Sequence, residues 1–446
     1  MRFTKFLLLA SFAASVLTGC NPSDFNTVLD KAPVLDFGTP GSSTGSLFVL
    51  PLPAPADPSL KVAAQMLLSR KDSNYLALAT YDMNGKLTTH ELSDVENTLK
   101  YPVNSSAVRN DGLILLGTPR FDGGQTPVGR VSTLRMGASA DGSPAVLQSG
   151  ITADGRLGLS VAAGFVTGAP EGDFVAVGDN SVQLLGTDPM KPIASASSTS
   201  CPALQLGSTT GDFYAFRPLV VADLLQGGKD EIVLGGPGEV VFLQYDSTAV
   251  PPASPLPCKI LTLAAVGSFG TSLAAGDFDG DGFADLAVGA PPNHVYVYFG
   301  PLDAHFGPLA TATTFDVDLA STTPTSFGKS LSTYGLPGHA TQLLVADPTA
   351  PSSGGVGQVM LFNISRGVPG SPSTISSSAA IATLFDSNKD SDPGLFGLNL
   401  GGVQFNMGLC SPALGVGMVP WASLGPNLLT FFAYSGSPAD PRCFAH

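Results

Sequence analysis

A pattern of two short apolar strands joined by a loop recurs along this 446-residue chain, and it constrains the fold more than any other feature. The clearest copy begins at Phe269-Gly270, passes through an acidic loop and ends at Gly289-Ala290-Pro291. An alternating segment from His294 to Phe299 then predicts a third strand. Because one small sheet cannot bury both of its faces, such units must stack against one another.

Weaker copies of the pattern lie before and after the clearest one. Most of them retain the apolar second strand, which ends in a small residue at positions 79, 117, 178, 235, 289, 346 and 417. The successive spacings are 38, 61, 57, 54, 57 and 71 residues. After the short first interval, these spacings are typical of a four-stranded propeller blade.

Residues 269–291 resemble the FG-GAP repeat, which is the unit of the integrin α-subunit propeller. In its weaker copies the resemblance extends over most of the chain. It implies an all-β fold, namely a seven-bladed β-propeller of four-stranded blades. We expect the strand-like segment 45–50 to supply a strand of the last blade and so close the ring, which would place Phe48 near Phe431.

The acidic loop of the clearest copy has the spacing of a calcium-binding loop. Its aspartates occupy positions one, three, five and nine: Asp277, Asp279, Asp281 and Asp285. Gly282 permits a sharp turn at position six, and the Phe283 carbonyl would be a further ligand. Position twelve is Val288, so the glutamate of an EF-hand is absent; the resemblance implies that Asp285 completes the site. We therefore predict one Ca²⁺ site here, and the alternative is a solvated acidic hairpin.

The corresponding loops of other repeats have lost this pattern. The loop at 226–230 contains a lysine, the loop at 335–339 has no carboxylate, and the third repeat keeps only Glu171 and Asp173. A second acidic run, 386–392, lacks the turn glycine and is expected to be a solvated loop. In integrins the metal loops lie opposite the ligand-binding face, so the resemblance implies that the metal stiffens a hairpin and does no chemistry.

The N-terminus has the order of features of a lipoprotein signal peptide. Arg2 and Lys5 precede the apolar run 6–16, and Leu17-Thr18-Gly19-Cys20 resembles the bacterial lipobox. This resemblance implies lipidation at Cys20, and Asn21 after it favours the outer membrane. The alternative is an ordinary secretory signal. We therefore divide the chain into a signal peptide at 1–19, a linker at 20–44 and the propeller at 45–446.

Four further cysteines predict disulfides in an exported protein: Cys201, Cys258, Cys410 and Cys443. Three pairings are possible. We expect Cys201–Cys258 and Cys410–Cys443, because each pair would hold one repeat unit locally. The cysteine spacings do not suggest a zinc site.

Charge and motif content indicate a binding function without catalysis. A net charge of −14 disfavours nucleic acid as a partner. The segment 41–45 matches G-x-S-x-G but lacks the strand and helix of a nucleophile elbow, and the five histidines are scattered. We expect a membrane-anchored adhesion or binding module of the cell envelope that recognises protein or glycan ligands through its loops, and no enzyme. The alternatives are an envelope hydrolase or lyase that uses the central funnel, and a structural part of an envelope complex.

Overall fold

The computed structural model describes residues 34–36 and, with gaps, residues 47–431. The gaps are 54–57, 61, 71–73, 83–86, 120–127, 138, 140–141, 143–144, 149, 190, 205–216, 226, 237, 250–255, 263–267, 307–314, 324, 335–339, 353–354, 368–371, 385–399, 407–415 and 425–427. Cys20, Cys410, Cys443 and the acidic run 386–392 therefore lie outside the described residues. The division into 1–19, 20–44 and 45–446 stays a prediction.

The described chain folds into small, mostly antiparallel sheets that follow one another in sequence. After β1 (Val34–Asp36), the first blade comprises β2 (Leu47–Leu52), β3 (Val62–Arg70), β4 (Leu76–Asp82) and β5 (Leu87–Glu91). A short helix, α1 (Ser93–Leu99), leads to the second blade. That blade comprises β6 (Ser105–Val108), β7 (Ile114–Thr118), β8 (Val128–Arg135), β9 (Val146–Gln148) and β10 (Thr152–Asp154).

The next two blades have four strands each. The third comprises β11 (Ser160–Gly164), β12 (Asp173–Val177), β13 (Ser181–Leu185) and β14 (Pro192–Ser197). The fourth comprises β15 (Leu219–Ala222), β16 (Glu231–Gly236), β17 (Glu239–Leu243) and β18 (Cys258–Thr262).

The chain of the sixth blade supplies one strand to the fifth blade. The fifth comprises β19 (Ser272–Gly276), β20 (Asp285–Ala290), β21 (His294–Tyr298) and β22 (Val317–Ala320). The sixth comprises β23 (Ser330–Tyr334), β24 (Gln342–Ser352), β25 (Gly355–Phe362) and, after β26 (Ser373–Ser376), β27 (Ala382–Leu384). Strand β26 leaves the sixth blade and pairs in parallel with β22, so the fifth blade has five strands.

Each hydrophobic core lies between two neighbouring blades. Phe242 of the fourth blade shares a buried cluster with Phe269 and Tyr298 of the fifth. Likewise, Val297 of the fifth blade packs in one cluster with Phe362 of the sixth. Both faces of a blade are therefore buried, which explains why β7, β12, β16 and β20 are buried along their whole length.

Glycines at the two ends of the repeat pattern meet across a blade boundary. A Cβ on Gly289, in β20, would lie 2.3 Å from the carbonyl oxygen of Gly328, which precedes β23 of the next blade. Ser272 Oγ donates to the same carbonyl at 2.7 Å. The same glycine contact recurs at two other junctions, Gly117 with Gly158 and Gly235 with Gly270. The pattern therefore reflects close contact between neighbouring blades.

The N-terminal closing strand differs from the prediction. Strand β2, which contains the segment predicted to close the last blade, instead pairs with β3 in the first blade, where Phe48 lies opposite Ser69. Strand β1 pairs with β30 (Leu428–Phe431) in its place. The expected proximity of Phe48 and Phe431 is therefore wrong. Position 79 lies in β4, the third strand of its blade, whereas the repeat pattern treats it as the second strand. This difference explains the short first interval and the assignment of β2 to the last blade.

The blade count and composition also differ from the prediction. Strand β1, with β28 (Leu400–Asn406), β29 (Val416–Leu424) and β30, forms a sheet from both chain ends, which we call the terminal sheet. Its strand β28 contacts both β3 and β23. Between β2 and β27 the described residues form six blades, and two of these have five strands. The prediction of a seven-bladed propeller of four-stranded blades is therefore wrong.

The predicted disulfide between Cys201 and Cys258 is confirmed, with their Cα atoms 6.0 Å apart. Cys201 follows β14 of the third blade, and Cys258 begins β18 of the fourth. The bridge therefore joins two neighbouring blades and does not hold a single unit together. Among the described residues, no helix is long and apolar enough to cross a membrane.

Candidate metal centre

The acidic loop joins β19 and β20, the first two strands of the fifth blade. Asp277 accepts two backbone hydrogen bonds within this loop, from Gly280 N to Oδ1 at 2.7 Å and from Gly282 N to Oδ2 at 3.0 Å. Gly282 has a φ of +91°, which favours glycine at this position. The first aspartate therefore folds the loop around its own carboxylate.

Asp285 anchors the other end of the loop from a fully buried position. Its Oδ2 accepts from Phe278 N at 2.7 Å, and its Oδ1 accepts from Gly300 N at 2.8 Å. Burial, together with the negative charges of Asp279 and Asp281, raises the pKa of Asp285 to about 7. A bound cation would favour the ionised form of this carboxylate.

Three of the four predicted aspartates converge. Ligand oxygens of Asp277, Asp279 and Asp285 all lie within 4.8 Å of one another, which can hold a metal ion. Asp281 is outside this group: its Oδ1 accepts from Phe283 N at 3.0 Å. The Phe283 carbonyl as a ligand stays a prediction. In the described part of the chain, this is the only such group of three or more potential ligand side chains.

Arg366, which follows β25 of the sixth blade, binds the same loop and was not identified from the sequence. Its Nε donates to Asp279 Oδ2 at 2.6 Å, and its Nη2 donates to Asp281 Oδ2 at 2.8 Å. Nη2 also donates to the Gly300 carbonyl at 3.1 Å, and the guanidinium lies 4.9 Å from the Phe299 ring centre. Hydrogen bonding to Asp279 raises the pKa of Arg366 above its ordinary value.

Buried acids at the start of the second strand recur in other blades. Asp173 begins β12 and accepts from Thr167 N at 2.7 Å. Glu231 begins β16 and accepts from Leu224 N and Leu225 N at 3.0 Å each. Burial raises the pKa of Glu231. An acid at this position therefore organises the loop before it, whether or not the loop has the other carboxylates of a metal site.

A groove of about 530 Å³ lies between the second and third blades. Arg109 forms its floor and is held by Asp111, with Nη2 and Oδ2 2.9 Å apart, and by the Gly186 carbonyl of the third blade at 3.2 Å. Hydrogen bonding to Arg109 lowers the pKa of Asp111 to about 2. Arg135 and Val146 line the groove and are each 53% exposed. No sequence motif marks this groove, because its residues come from separate strands.

Comparison with known proteins supports the class of fold. Residues 269–298 match the family model of the FG-GAP repeat. The chain thus contains an FG-GAP repeat, and its sheets have the arrangement of β-propeller blades. No curated protein matches the chain.

Among solved structures, the chain is similar to one titled "Crystal structure of BBS1N in complex with ARL6DN, soaked with lead", at 11% sequence identity and a TM-score of 0.46. The match covers 90% of this chain and 96% of that one.

Proposed function

We propose that this protein is a binding module of the cell envelope that is anchored by a lipid at Cys20. Its propeller loops recognise protein or glycan ligands. In this proposal it binds and does not catalyse, and nucleic acid is not a partner. One Ca²⁺ ion bound by the loop 277–285 stiffens the fifth blade. The FG-GAP repeat supports a ligand-binding role, because repeats of this kind form the α-subunit propeller of integrins, which are adhesion proteins.

The groove between the second and third blades is the observation that carries the ligand-binding proposal. Val146 offers an exposed apolar contact, and Arg135 offers a guanidinium that is held by the Asp111 carbonyl at 3.1 Å. A mixed apolar and hydrogen-bonding lining on a rigid floor is typical of sites for protein and glycan ligands. The turn at Asp111 and the metal loop both join the first two strands of a blade, so they lie at the same face.

This location differs from the integrin arrangement, in which ligands bind opposite the metal loops. The metal loop belongs to the fifth blade, whereas the groove belongs to the second and third. Loss of the metal should therefore reduce the stability of the protein more than its affinity for a ligand.

A matched pair of variants tests the groove. The mature protein is first screened on a glycan panel and against envelope extracts to obtain a ligand. Val146→Asp should then weaken binding at least about tenfold, because a buried apolar contact of roughly 1.4 kcal/mol is lost. Ile193→Asp, at a 46% exposed position of β14 that does not line the groove, should bind like the wild type. Equal affinity of both variants would place the ligand elsewhere.

The lipid anchor is tested in cells. Growth with a fatty-acid analogue should label the wild-type protein, and Cys20→Ser should abolish the label and release the protein from the membrane fraction. Continued labelling of the variant would refute lipidation at Cys20.

Calcium is supported by the chemistry of the donor set. Asp277, Asp279 and Asp285 supply hard oxygen ligands in a loop closed by backbone hydrogen bonds, which suits Ca²⁺ better than the tight octahedron of Mg²⁺. The close approach of the three carboxylates argues against a simple solvated hairpin, because their negative charges repel one another without a cation nearby.

A further inference from the structure

We propose that Arg366 is a tethered competitor of the metal: its guanidinium and a divalent cation share Asp279, so metal binding releases Arg366 from the loop. This inference rests on the proposed metal site. It assigns to the sixth blade a role in setting the affinity of a site built by the fifth blade.

Asp279 belongs to both sets of contacts. It is one of the three converging carboxylates, and it also accepts from Arg366 Nε at 2.6 Å. Its other oxygen, Oδ1, accepts from Asp281 N at 3.1 Å. The Asp279 side chain is only 5% exposed, so little water screens its charge. A metal ion on Asp279 would lie close to the positive guanidinium and repel it.

Arg366 also holds the fourth predicted ligand away from the others. Asp281 Oδ2 accepts from Arg366 Nη2 at 2.8 Å, and Asp281 is absent from the converging group. For Asp281 to join a metal as the ligand at position five, it must approach the other three aspartates, and the shared cation would repel the guanidinium. Metal binding through all four aspartates therefore opposes the Arg366 contacts.

The position of Arg366 is supported by groups other than the aspartates. Its guanidinium lies over the Phe299 ring and donates to the Gly300 carbonyl, while Gly300 N donates to Asp285. The cation is thus held beside the loop when no metal is bound. There it offsets the mutual repulsion of the aspartates, which keeps the loop folded but weakens its affinity for a metal.

Calcium titration and thermal unfolding of the full mature chain test this inference, with Arg366→Gln as the main variant. By calorimetry, Arg366→Gln should bind Ca²⁺ about tenfold more tightly than the wild type, because a charge-assisted contact no longer competes. In chelator it should melt at a lower temperature than the wild type. In saturating Ca²⁺ the two melting temperatures should converge.

Two further variants control for charge and for general destabilisation. Arg366→Lys keeps the positive charge but loses the planar guanidinium that contacts two aspartates at once. Its calcium affinity should therefore lie between those of the wild type and Arg366→Gln. This variant also tests the proposal if Arg366→Gln does not fold. Arg156→Gln removes an ion pair with Asp179 near the third blade, with Nε and Oδ1 2.9 Å apart. It should lower the melting temperature equally with and without Ca²⁺.

The outcomes separate this inference from the metal site itself. If the wild type binds Ca²⁺ and Arg366→Gln binds it no more tightly, competition is refuted while the site stands. If neither protein responds to Ca²⁺, both the site and the competition are refuted. A response by Arg366→Gln alone would show that the guanidinium takes the place of the metal in the wild type, which supports the competition.

Discussion

The first loops of the fourth and fifth blades share one backbone arrangement, which we call the frame, but they enclose different side chains. Residues 223–231 and 277–285 have the same length and join corresponding strands. Each ends in a fully buried acid, Glu231 or Asp285, that accepts backbone N–H groups of its own loop. The terminal acid is therefore a feature of the frame and not evidence of a metal by itself.

The two loops differ at the third position. There the fourth blade has Leu225, which is buried, and the fifth has Asp279, which belongs to the converging carboxylates. The fourth loop is closed by an apolar side chain, whereas the fifth gathers negative charge that needs a cation. The third position, more than the ninth, therefore distinguishes these two loops.

The largest effect is expected from substitutions of the glycines at which each of these blades contacts the next one. Gly235→Ala would place a Cβ 2.1 Å from the Gly270 carbonyl oxygen, and Gly289→Ala would place one 2.3 Å from that of Gly328. Because backbone must move in each case, both variants should lose more than about 3 kcal/mol of unfolding free energy. Denaturant unfolding measures this loss. A loss in one blade only would show that the two junctions are not equivalent.

The second prediction is that the side chains of the two loops differ in their response to calcium. At a hundredfold excess of Ca²⁺ over its dissociation constant, wild-type stability should rise by about 2.7 kcal/mol. Asp279→Ala should abolish most of this rise, because it removes a ligand. Leu225→Ala should lose about 2–3 kcal/mol through its cavity and keep the full calcium response.

Calorimetry with and without chelator measures both calcium responses. Asp246→Ala, at an exposed acid of the fourth blade, is the control and should respond like the wild type. If Asp279→Ala and Asp246→Ala show the same calcium response, the assignment of the site is wrong.

A smaller effect is expected at the turn glycine of each loop. Gly228 and Gly282 occupy the same position and have φ values of +66° and +91°, with open space where a Cβ would lie. Alanine at either position should therefore cost only about 1 kcal/mol, from backbone strain without a clash. Thermal unfolding measures this cost. A much larger loss at Gly282 alone would mean that the acidic loop 277–285 tolerates less adjustment than its counterpart in the fourth blade.

The smallest expected effect is a pH dependence of the free energy of unfolding that is caused by Glu231 of the fourth blade. Burial raises the pKa of Glu231 above its ordinary value of 4.5, so the folded state holds this proton more tightly than the unfolded state. The stability from this group is present below pH 4.5 and is lost as the pH rises through the raised pKa. Glu231→Gln should flatten that part of the stability profile. An unchanged slope would assign it to other groups, such as Asp223, whose pKa burial also raises.

Prediction from sequence worked where the chemistry is local. The spacing of Asp277, Asp279 and Asp285 along nine residues was enough to predict that their carboxylates converge. The pairing of Cys201 with Cys258 was also predicted, although the bridge joins two blades. The prediction failed for β2, because the neighbouring strand β3 lacked a recognisable repeat pattern and the first blade was assigned one strand out of frame.

By itself, the sequence determined the repeat, the β-propeller class and the position of the acidic loop, because turns, alternating strands and ligand spacing are set by nearby residues. Only the tertiary structure decided how the ends of the repeat meet across blades, which strands form the terminal sheet and that Arg366 reaches Asp279. These contacts join residues from different blades. Their geometry depends on how whole sheets pack, and no local pattern along the chain records that packing.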